Sequence, residues 1–216
     1  MEVRRELSDL PFAGALIRHE GDLAPDGYYD GNHFTGTAYH DTRADHTSFL
    51  ECAFSDVTLE NVTARRSRFS DVWFRDARLL SVDLAGSTWL DATFISCAAA
   101  GVQAYDSTLR RVVFHECKLD AVNFRGATLA SVTFAGCVLR DVDFGGASIK
   151  QARFPGSTLT RADFSRAALD HADLRGAELD ITAGFDSLRG AVMTTAQFAA
   201  LTPALARQLG IELSDT

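Results

Sequence analysis

The sequence lacks a long apolar run, a paired cysteine motif and an excess of positive charge, and each absence excludes a class of protein. No run approaches the ~20 apolar residues that a membrane-spanning helix needs, and the start of the chain does not have the pattern of a signal peptide. We therefore expect a cytoplasmic protein with no membrane partner. The four cysteines include no CxxC pair, so a zinc or thioredoxin-like site of that type is excluded.

The charge of the chain is negative and unevenly distributed. The net charge is −8, which argues against direct binding to nucleic acid or to anionic membranes. Residues 1–108 hold 17 acids and 9 bases, whereas residues 109–216 hold 12 of each. All of the net negative charge therefore lies in the N-terminal half.

Motifs for catalysis or metal binding are also missing. The sequence shows no Ser/His/Asp arrangement, no phosphate-binding glycine loop and no metal-ligand spacing. His33, His40 and His46 invite a zinc hypothesis, but they fall on different faces of the fold inferred below and are expected at the surface. We predict that the protein is not an enzyme and uses neither a metal nor a cofactor.

What the sequence does contain is a repeat of five residues. Stepping by five from Phe34 to Leu179 gives 30 positions, and every one of them is apolar. Two residues before these centres, from Cys52 to Ala177, all 26 positions hold Ala, Val, Ser or Cys. Neither a helix nor a plain strand has this period. Each unit thus has two inward residues, a centre and a smaller one, and three positions that face water.

These residues resemble a known family. The motif A-(D/N)-L-x-x reads plainly in residues 162–166 and 172–176, and over roughly residues 29–181 the chain resembles the pentapeptide repeat family. The resemblance implies an all-β solenoid, a right-handed quadrilateral β-helix with four units per coil. A 20-residue coil is supported independently, because every fourth centre from the first is the same residue: Phe34, Phe54, Phe74, Phe94, Phe114, Phe134 and Phe154.

The columns of centres predict how well each coil is packed. Small centres in the third column accompany large ones in the fourth, and the pattern reverses past residue 109, as a close-packed interior requires. One coil does not follow this rule, since Phe94 and Leu109 flank two alanines, Ala99 and Ala104. We expect that coil to be pinched or loosely packed.

The ends of the chain should close the apolar coil ends that a solenoid exposes. We expect residues 1–28 to cap the first coil, residues 29–181 to form the β-helix, and residues 182–216 to form an irregular last coil and a helical cap. Two short helices are predicted there. Thr194 with Gln197 forms a capping box for the first, and Thr202 with Pro203 predicts the start of the second.

The apolar face of these helices has two interpretations. It consists of Phe198, Leu201, Leu205 and Leu209. On the first interpretation this face only covers the last coil. On the second it also holds two chains together, as the resemblance to proteins of the Qnr and MfpA type implies, and the protein is a homodimer.

Stacked acids are the remaining candidate functional residues. Glu51, Asp71 and Asp91 occupy equivalent outward positions 20 residues apart, and Asp56 and Asp76 begin a similar column. These acids can be a solvated edge that keeps the solenoid soluble. They can also be a negative rail presented to a basic groove of a protein partner.

The resemblance to Qnr and MfpA implies a function for such a rail. Those proteins imitate duplex DNA and occupy or protect type II topoisomerases. We therefore hypothesise a non-catalytic DNA mimic that binds DNA gyrase or topoisomerase IV and inhibits the enzyme or shields it from quinolones. The alternative is a general protein-interaction scaffold with another partner.

Overall fold

In the computed structural model, which describes residues 4–213, the chain winds into a parallel β-solenoid around an apolar core. Strands of adjacent coils pair with a register of 20 residues, as in Phe34 with Phe54 and Phe54 with Phe74. The four-unit coil predicted from the sequence is therefore confirmed. Among the described residues, no helix is both long and apolar enough to span a bilayer.

Three of the four faces carry ladders of short parallel strands. The first face holds Ile17–Arg18, Asn32–Thr35, Ala53–Ser55, Trp73–Arg75, Thr93–Ile95, Val113–His115 and Thr133–Ala135. The second face holds Ala38–His40, Thr58–Glu60, Arg78–Leu80, Ala98–Ala100, Lys118–Asp120, Val138–Arg140, Thr158–Asp163 and Glu178–Ala183. The fourth face holds Tyr28–Asp30, Ser48–Leu50, Arg68–Ser70, Thr88–Leu90, Thr108–Arg110, Thr128–Ala130, Ser148–Lys150 and Ala168–Asp170.

The third face has isolated bridges in place of strands, and in several of its units a side chain supports a local turn. On this face Asp83, Asn123 and Asp143 each precede a centre and accept a hydrogen bond from the backbone N–H two residues on, at 2.7–3.0 Å. Asp and Asn side chains favour such local turns. In these three units the acid or amide of the A-(D/N)-L-x-x motif thus stabilises the turn, while Thr63 and Gln103 form isolated bridges at equivalent positions.

The core is a set of stacked columns, as the sequence predicts. The rings of the seven Phe from Phe34 to Phe154 lie nearly parallel, and neighbouring ring centroids are 4.2–5.1 Å apart. Each buried ring contributes about 1.5–3 kcal/mol from the hydrophobic effect, before entropy is subtracted. This column runs through most of the stack and ties successive coils together.

The N-terminal residues divide into two parts. Ile17–Arg18 pairs with the first strand of the repeat, the ring of His19 packs on Phe34 at 4.6 Å, and Leu23 is buried in the core. These residues lie on the first coil. Residues 4–16, with short 3₁₀ helices at Leu7–Asp9 and Ala13–Ala15, instead cross the outside of the first face. We call residues 4–16 the strap.

The C-terminal residues close the other end. The 20-residue register changes after Leu159–Leu179, where Ala162 pairs with Ile181, and a 3₁₀ helix follows at Phe185–Leu188. Gly184 has φ of 84°, and a Cβ there would lie 2.2 Å from the carbonyl carbon of Phe164. Only glycine fits this close approach.

One helix, α1 (Thr195–Gln208), follows, so the prediction of two short helices was wrong. Pro203 lies inside α1 and Thr202 is not an N-cap. Proline in a helix costs about 3 kcal/mol, but Leu201 and Ala206 are buried on either side of it, and their packing keeps the helix continuous.

Both ends of α1 follow the rules of helix capping. Thr194 and Gln197 form the predicted capping box. At the other end Gly210 has φ of 70°, and the N–H of Ile211 bonds the carbonyl of Ala206 at 2.8 Å. This is the Schellman arrangement.

Gln197 also caps the solenoid itself. Its side-chain Oε1 accepts from the N–H of Thr194 at 2.9 Å, while Nε2 donates to the carbonyls of Leu174 and Ala177 at 2.6 and 2.7 Å. The last coil has no further coil to receive these carbonyls. Leu174 also accepts from the N–H of Ala177 at 3.2 Å, whereas Gln197 is the donor that satisfies the carbonyl of Ala177.

Candidate functional site: two acidic edges and the strap between them

The corners of the coil have a left-handed backbone. The residue two positions after each centre has φ between 48° and 76° at every corner from Asp26 to Gly176. Such φ values are strained for most L-residues and are tolerated best by Gly, Asn and Asp. The five candidate acids all occupy corners. The left-handed backbone of a corner by itself favours aspartate, which is the residue at four of these five positions.

The candidate acids line both edges of the first face. Glu51, Asp71 and Asp91 lie at the corner between the fourth and first faces, and Asp56 and Asp76 lie at the corner between the first and second faces. We call these two lines the acidic edges. Coils are spaced by about 4.8 Å, so each edge places carboxylates at that interval.

The first acidic edge is partly neutralised. Arg111, at the next corner of the same column, donates to both carboxylate oxygens of Asp91 at 2.7 Å, and this hydrogen-bonded pair holds the pKa of Asp91 below its usual value. Asp71 has the opposite environment, since desolvation and the neighbouring Asp91 raise its pKa. Within residues 4–213, Glu51 and Asp71 form no ion pair.

The second acidic edge is less regular. Arg75 approaches Asp76 at 3.3 Å and also pairs with Glu6 of the strap. Asp56 has no ion pair in the described part of the chain. The column is interrupted by Ser96 before it continues with Glu116.

The strap lies across the first face, between the acidic edges. Its Leu10 and Phe12 are buried against Ala53, Trp73 and Ile95 of the solenoid. Those three side chains occupy outward positions of the repeat, which are polar in most units. Trp73 is only 1% exposed, because the strap covers it.

Hydrogen bonds fix the N-terminal part of the strap. Trp73 donates from Nε1 to the carbonyl of Arg4 at 2.9 Å, and Arg75 donates to the carbonyl of Arg5 at 3.3 Å. Arg5 contacts His115 Nε2 at 3.2 Å, two coils further along the stack. The sequence pattern does not predict this element. The signal was available in the outward Trp73 and Ile95, which a bare coil would expose to water.

The C-terminal half carries its charges differently. Arg140 lies one coil beyond Asp120, and Arg161 lies one coil beyond Asp141, and each arginine donates through two nitrogens to the carboxylate. Opposite charges therefore stack directly on each other. The carboxylates of Asp120 and Asp141 are therefore neutralised by their neighbours.

The cysteines are structural, as the sequence predicts. Cys52, Cys97, Cys117 and Cys137 are all buried and free. Burial raises the pKa of the Cys52 thiol to about 11, and the neighbouring Cys117 thiol, together with burial, raises that of Cys137. Nucleophilic or metal-binding chemistry needs thiolate, so Cys52 and Cys137 are poorly suited to it at neutral pH.

The histidines do not converge on a common point. His33 contacts Ser55 at 2.9 Å, and burial, with Arg18 nearby, lowers its pKa. His40 contacts Glu60 at 2.9 Å, and His46 occupies a corner. Within residues 4–213, no cluster of three His, Cys, Asp or Glu side chains is placed to hold a metal ion.

The four apolar residues proposed for the C-terminal face do not share one environment. Leu201 is 4% exposed and belongs to the core, and Leu205 is half-buried. Phe198 is 55% exposed and Leu209 is 65% exposed. The exposed apolar surface continues past α1 in Ile211 and Leu213.

The sequence and the fold were compared with known proteins. The family model for the pentapeptide repeat region matches residues 87–164 and again 107–183. No curated protein gives a significant sequence match. Solved structures with a similar fold include full-length QnrB1, a plasmid-mediated fluoroquinolone resistance protein, at 18% identity and a TM-score of 0.48, covering 83% of this chain and 100% of that one.

Two further solved structures come from photosynthetic organisms. HetL from the cyanobacterium Nostoc, involved in heterocyst differentiation regulation, has 19% identity and a TM-score of 0.33, with 78% of this chain and 90% of that chain covered. A pentapeptide repeat protein from the thylakoid lumen of Arabidopsis thaliana has 14% identity and a TM-score of 0.38, with 56% and 72% covered.

Proposed function

The chain belongs to the pentapeptide repeat family, and from this premise we propose that it is a non-catalytic cytoplasmic protein that presents its acidic edges to a basic groove of a protein partner. The partner we propose is a type II topoisomerase, DNA gyrase or topoisomerase IV. The protein would occupy the DNA-binding groove as a mimic of duplex DNA, and would inhibit the enzyme or protect it from quinolones.

One observation carries the proposal: two lines of carboxylates run along the two edges of one face in the N-terminal half. Duplex DNA also presents two lines of negative charge on a rigid rod. The coil spacing of about 4.8 Å is shorter than the separation of phosphates along a DNA strand, so the similarity lies in sign and direction.

The energetics of the first acidic edge support a role beyond folding. Because desolvation and Asp91 raise the pKa of Asp71, its ionised form costs the folded protein free energy at neutral pH. Ionisable groups with shifted pKa values are concentrated at functional sites. A partner that brings Lys or Arg to the edge would relieve this cost.

We also propose that the protein is a homodimer held together by its C-terminal segment. Phe198 on α1 and Leu209, the residue that follows α1, are each more than half exposed, and so are Ile211 and Leu213. Exposed apolar patches of this kind are typical of protein interfaces. The double variant Phe198→Asp/Leu209→Asp should be a monomer in light scattering. Val138→Asp, a change at an exposed apolar residue in the middle of the stack, should leave the dimer intact.

The experiment that tests the function is a gyrase supercoiling assay with matched variants. The test variant carries Asp56→Asn, Asp71→Asn and Asp76→Asn on the acidic edges. The control carries Asp26→Asn, Asp41→Asn and Asp106→Asn, which are corner aspartates with the same left-handed backbone on other edges of the coil. Both variants lose the same charge, and Asn suits the same φ.

The wild type and the control should inhibit supercoiling, and the test variant should inhibit it weakly or not at all. Added salt should weaken inhibition, because exposed charges are screened. If the wild type at micromolar concentration neither inhibits gyrase nor shields it from a quinolone, the topoisomerase proposal is rejected. The alternative, a scaffold for another protein, would then stand.

A further inference from the structure

The coil with two alanine centres encloses an interior cavity of about 50 Å³. It lies in the fourth coil of the repeat, counted from Phe34, and extends into the third and fifth coils. It is lined almost entirely by inward apolar side chains, among them Leu79, Phe94, Ala99, Ala104, Leu119 and Phe124. The loose packing predicted for this coil is thereby confirmed.

The cavity exists because two adjacent walls are short of side-chain volume at the same level. On the second face Ala99 stands between Leu79 and Leu119 of the neighbouring coils. On the third face Ala104 occupies the position held by Leu84 one coil earlier and Phe124 one coil later. The strand register is unchanged at this level, and a cavity remains where the side-chain atoms are missing.

The chemistry of the walls keeps water out. The two cysteines of the lining direct their thiols to backbone carbonyls: Cys97 Sγ to Ile95 at 3.3 Å, and Cys117 Sγ to His115 at 3.4 Å. A buried water needs two to four polar partners, and apolar cavities that offer none stay dry. The cavity therefore offers dispersion contacts and few sites for hydrogen bonding.

We propose that this cavity is a binding site for one small, uncharged, apolar molecule. An apolar cavity of about 150 Å³ binds benzene or xenon, so a cavity one third of that size selects guests smaller than benzene, such as single noble-gas atoms or apolar molecules of a few heavy atoms. A guest restores contacts that the lining lacks. The void beside Ala44 and Ala64 has only about 20 Å³ and is too small for such a guest.

Entry requires the central coil to open transiently, because the strands on either side of the cavity remain paired. The wall at Ala98–Ala100 is the thinnest part of the enclosure, since none of its three side chains extends beyond Cβ. A bound guest stabilises the closed coil by mass action. Occupancy is therefore linked to the opening of the middle of the solenoid.

Xenon is the probe for the test. Methyl spectra of the full-length protein are recorded under increasing xenon pressure, for wild type, for Ala104→Leu, for Ala99→Val and for Thr108→Ala. The first two variants fill the cavity from different walls, so one remains informative if the other does not fold. Thr108 lies on the same coil but is exposed, and its variant is the matched control.

In the wild type and in Thr108→Ala, saturable shifts should appear at Leu79, Val102 and Leu119 and be absent from the ends of the stack. Xenon should also raise their thermal unfolding midpoint. Both effects should be lost in the filled variants. Shifts that grow linearly with pressure across the surface, or that persist in Ala104→Leu and Ala99→Val, would overturn the proposal.

Discussion

At the scale of single residues, the left-handed backbone of the corners explains part of the acidic composition without any function. A left-handed φ recurs at every corner from Asp26 to Gly176, and Asp tolerates it better than most residues. The aspartates of the acidic edges thus satisfy the backbone first. Glu51 and Glu116 have no such advantage, so their charges are the hardest to explain from local geometry.

Asp71 and Asp91 should respond oppositely to the same substitution. The raised pKa of Asp71 means that its ionised form destabilises the fold at neutral pH, so Asp71→Asn should leave stability unchanged or raise it. Asp91 has a lowered pKa through Arg111, so Asp91→Asn should lower stability, by about 0.2–1 kcal/mol for a partly exposed pair. Urea unfolding at pH 7 measures both changes.

The dependence of stability on pH follows from the opposite pKa shifts of Asp91 and Asp71. The stabilising contribution of Asp91 is present above the unfolded-state pKa and is lost as pH falls through its lower folded-state value. The cost of Asp71 is present above its raised folded-state pKa and disappears as pH falls below the unfolded-state value. The two variants should therefore converge in strongly acidic buffer. Equal losses of stability at pH 7 would contradict the opposing roles.

Gln197→Glu should separate the two roles of one side chain. The variant keeps the acceptor of the capping box but replaces the amide that donates to the carbonyls of Leu174 and Ala177. A carboxylate would then face two carbonyl oxygens. We expect a loss of about 1–3 kcal/mol, the cost of unsatisfied buried polar groups. Helix content in circular dichroism should change little, and a stability equal to that of the wild type would show that the two carbonyls find other donors.

At the scale of elements, the coils could be predicted from the sequence and the strap could not. Every centre must be apolar and the other inward residue must be small, so a strict period of five fixes the register of the whole β-helix. The strap packs on the outside, where no period applies, and its partners are scattered over several coils. The outward Trp73 indicates where the surface of the solenoid must be covered, but it does not indicate which segment covers it. Thr202-Pro203 is a local signal for the start of a helix, so the sequence predicts two helices. The single helix α1 instead depends on the tertiary packing of Leu201 and Ala206, which a local signal does not show.

The strap should detach without unfolding the solenoid. Leu10→Asp puts a charge into the contact with Trp73, so residues 4–16 should become accessible to trypsin at Arg4 and Arg5, and the fluorescence of Trp73 should shift to the red. Ile17→Asp, the same kind of change at a residue that is 70% exposed, should have neither effect. A cooperative loss of the entire fold in Leu10→Asp would instead make the strap part of the folding core.

At the scale of the whole molecule, the solenoid has two differently built halves. The N-terminal half has acidic edges, an external strap and aromatic residues on its first and fourth faces. In the C-terminal half, Asp–Arg pairs stack one coil apart and Phe124, Phe144 and Phe164 fill the third face. The change from one pattern to the other occurs at the coil with Ala99 and Ala104. The two alanine centres identify this coil in the sequence as short of side-chain volume. The size of the cavity could not be predicted, because it depends on how far the backbone contracts.

The central coil should therefore be the place where the stack opens first. The lining of the cavity lacks contacts on one side, so local opening there breaks fewer interactions than opening in a filled coil. Backbone amides in residues 97–106 should exchange with deuterium faster than those in residues 117–126, one coil further on. Ala104→Leu should slow exchange in 97–106 and leave distant coils unchanged, provided that the added side chain fits its wall as Leu84 does. Equal protection of both segments in the wild type would show that hydrogen bonding between paired coils, and not core packing, sets the order in which the solenoid opens.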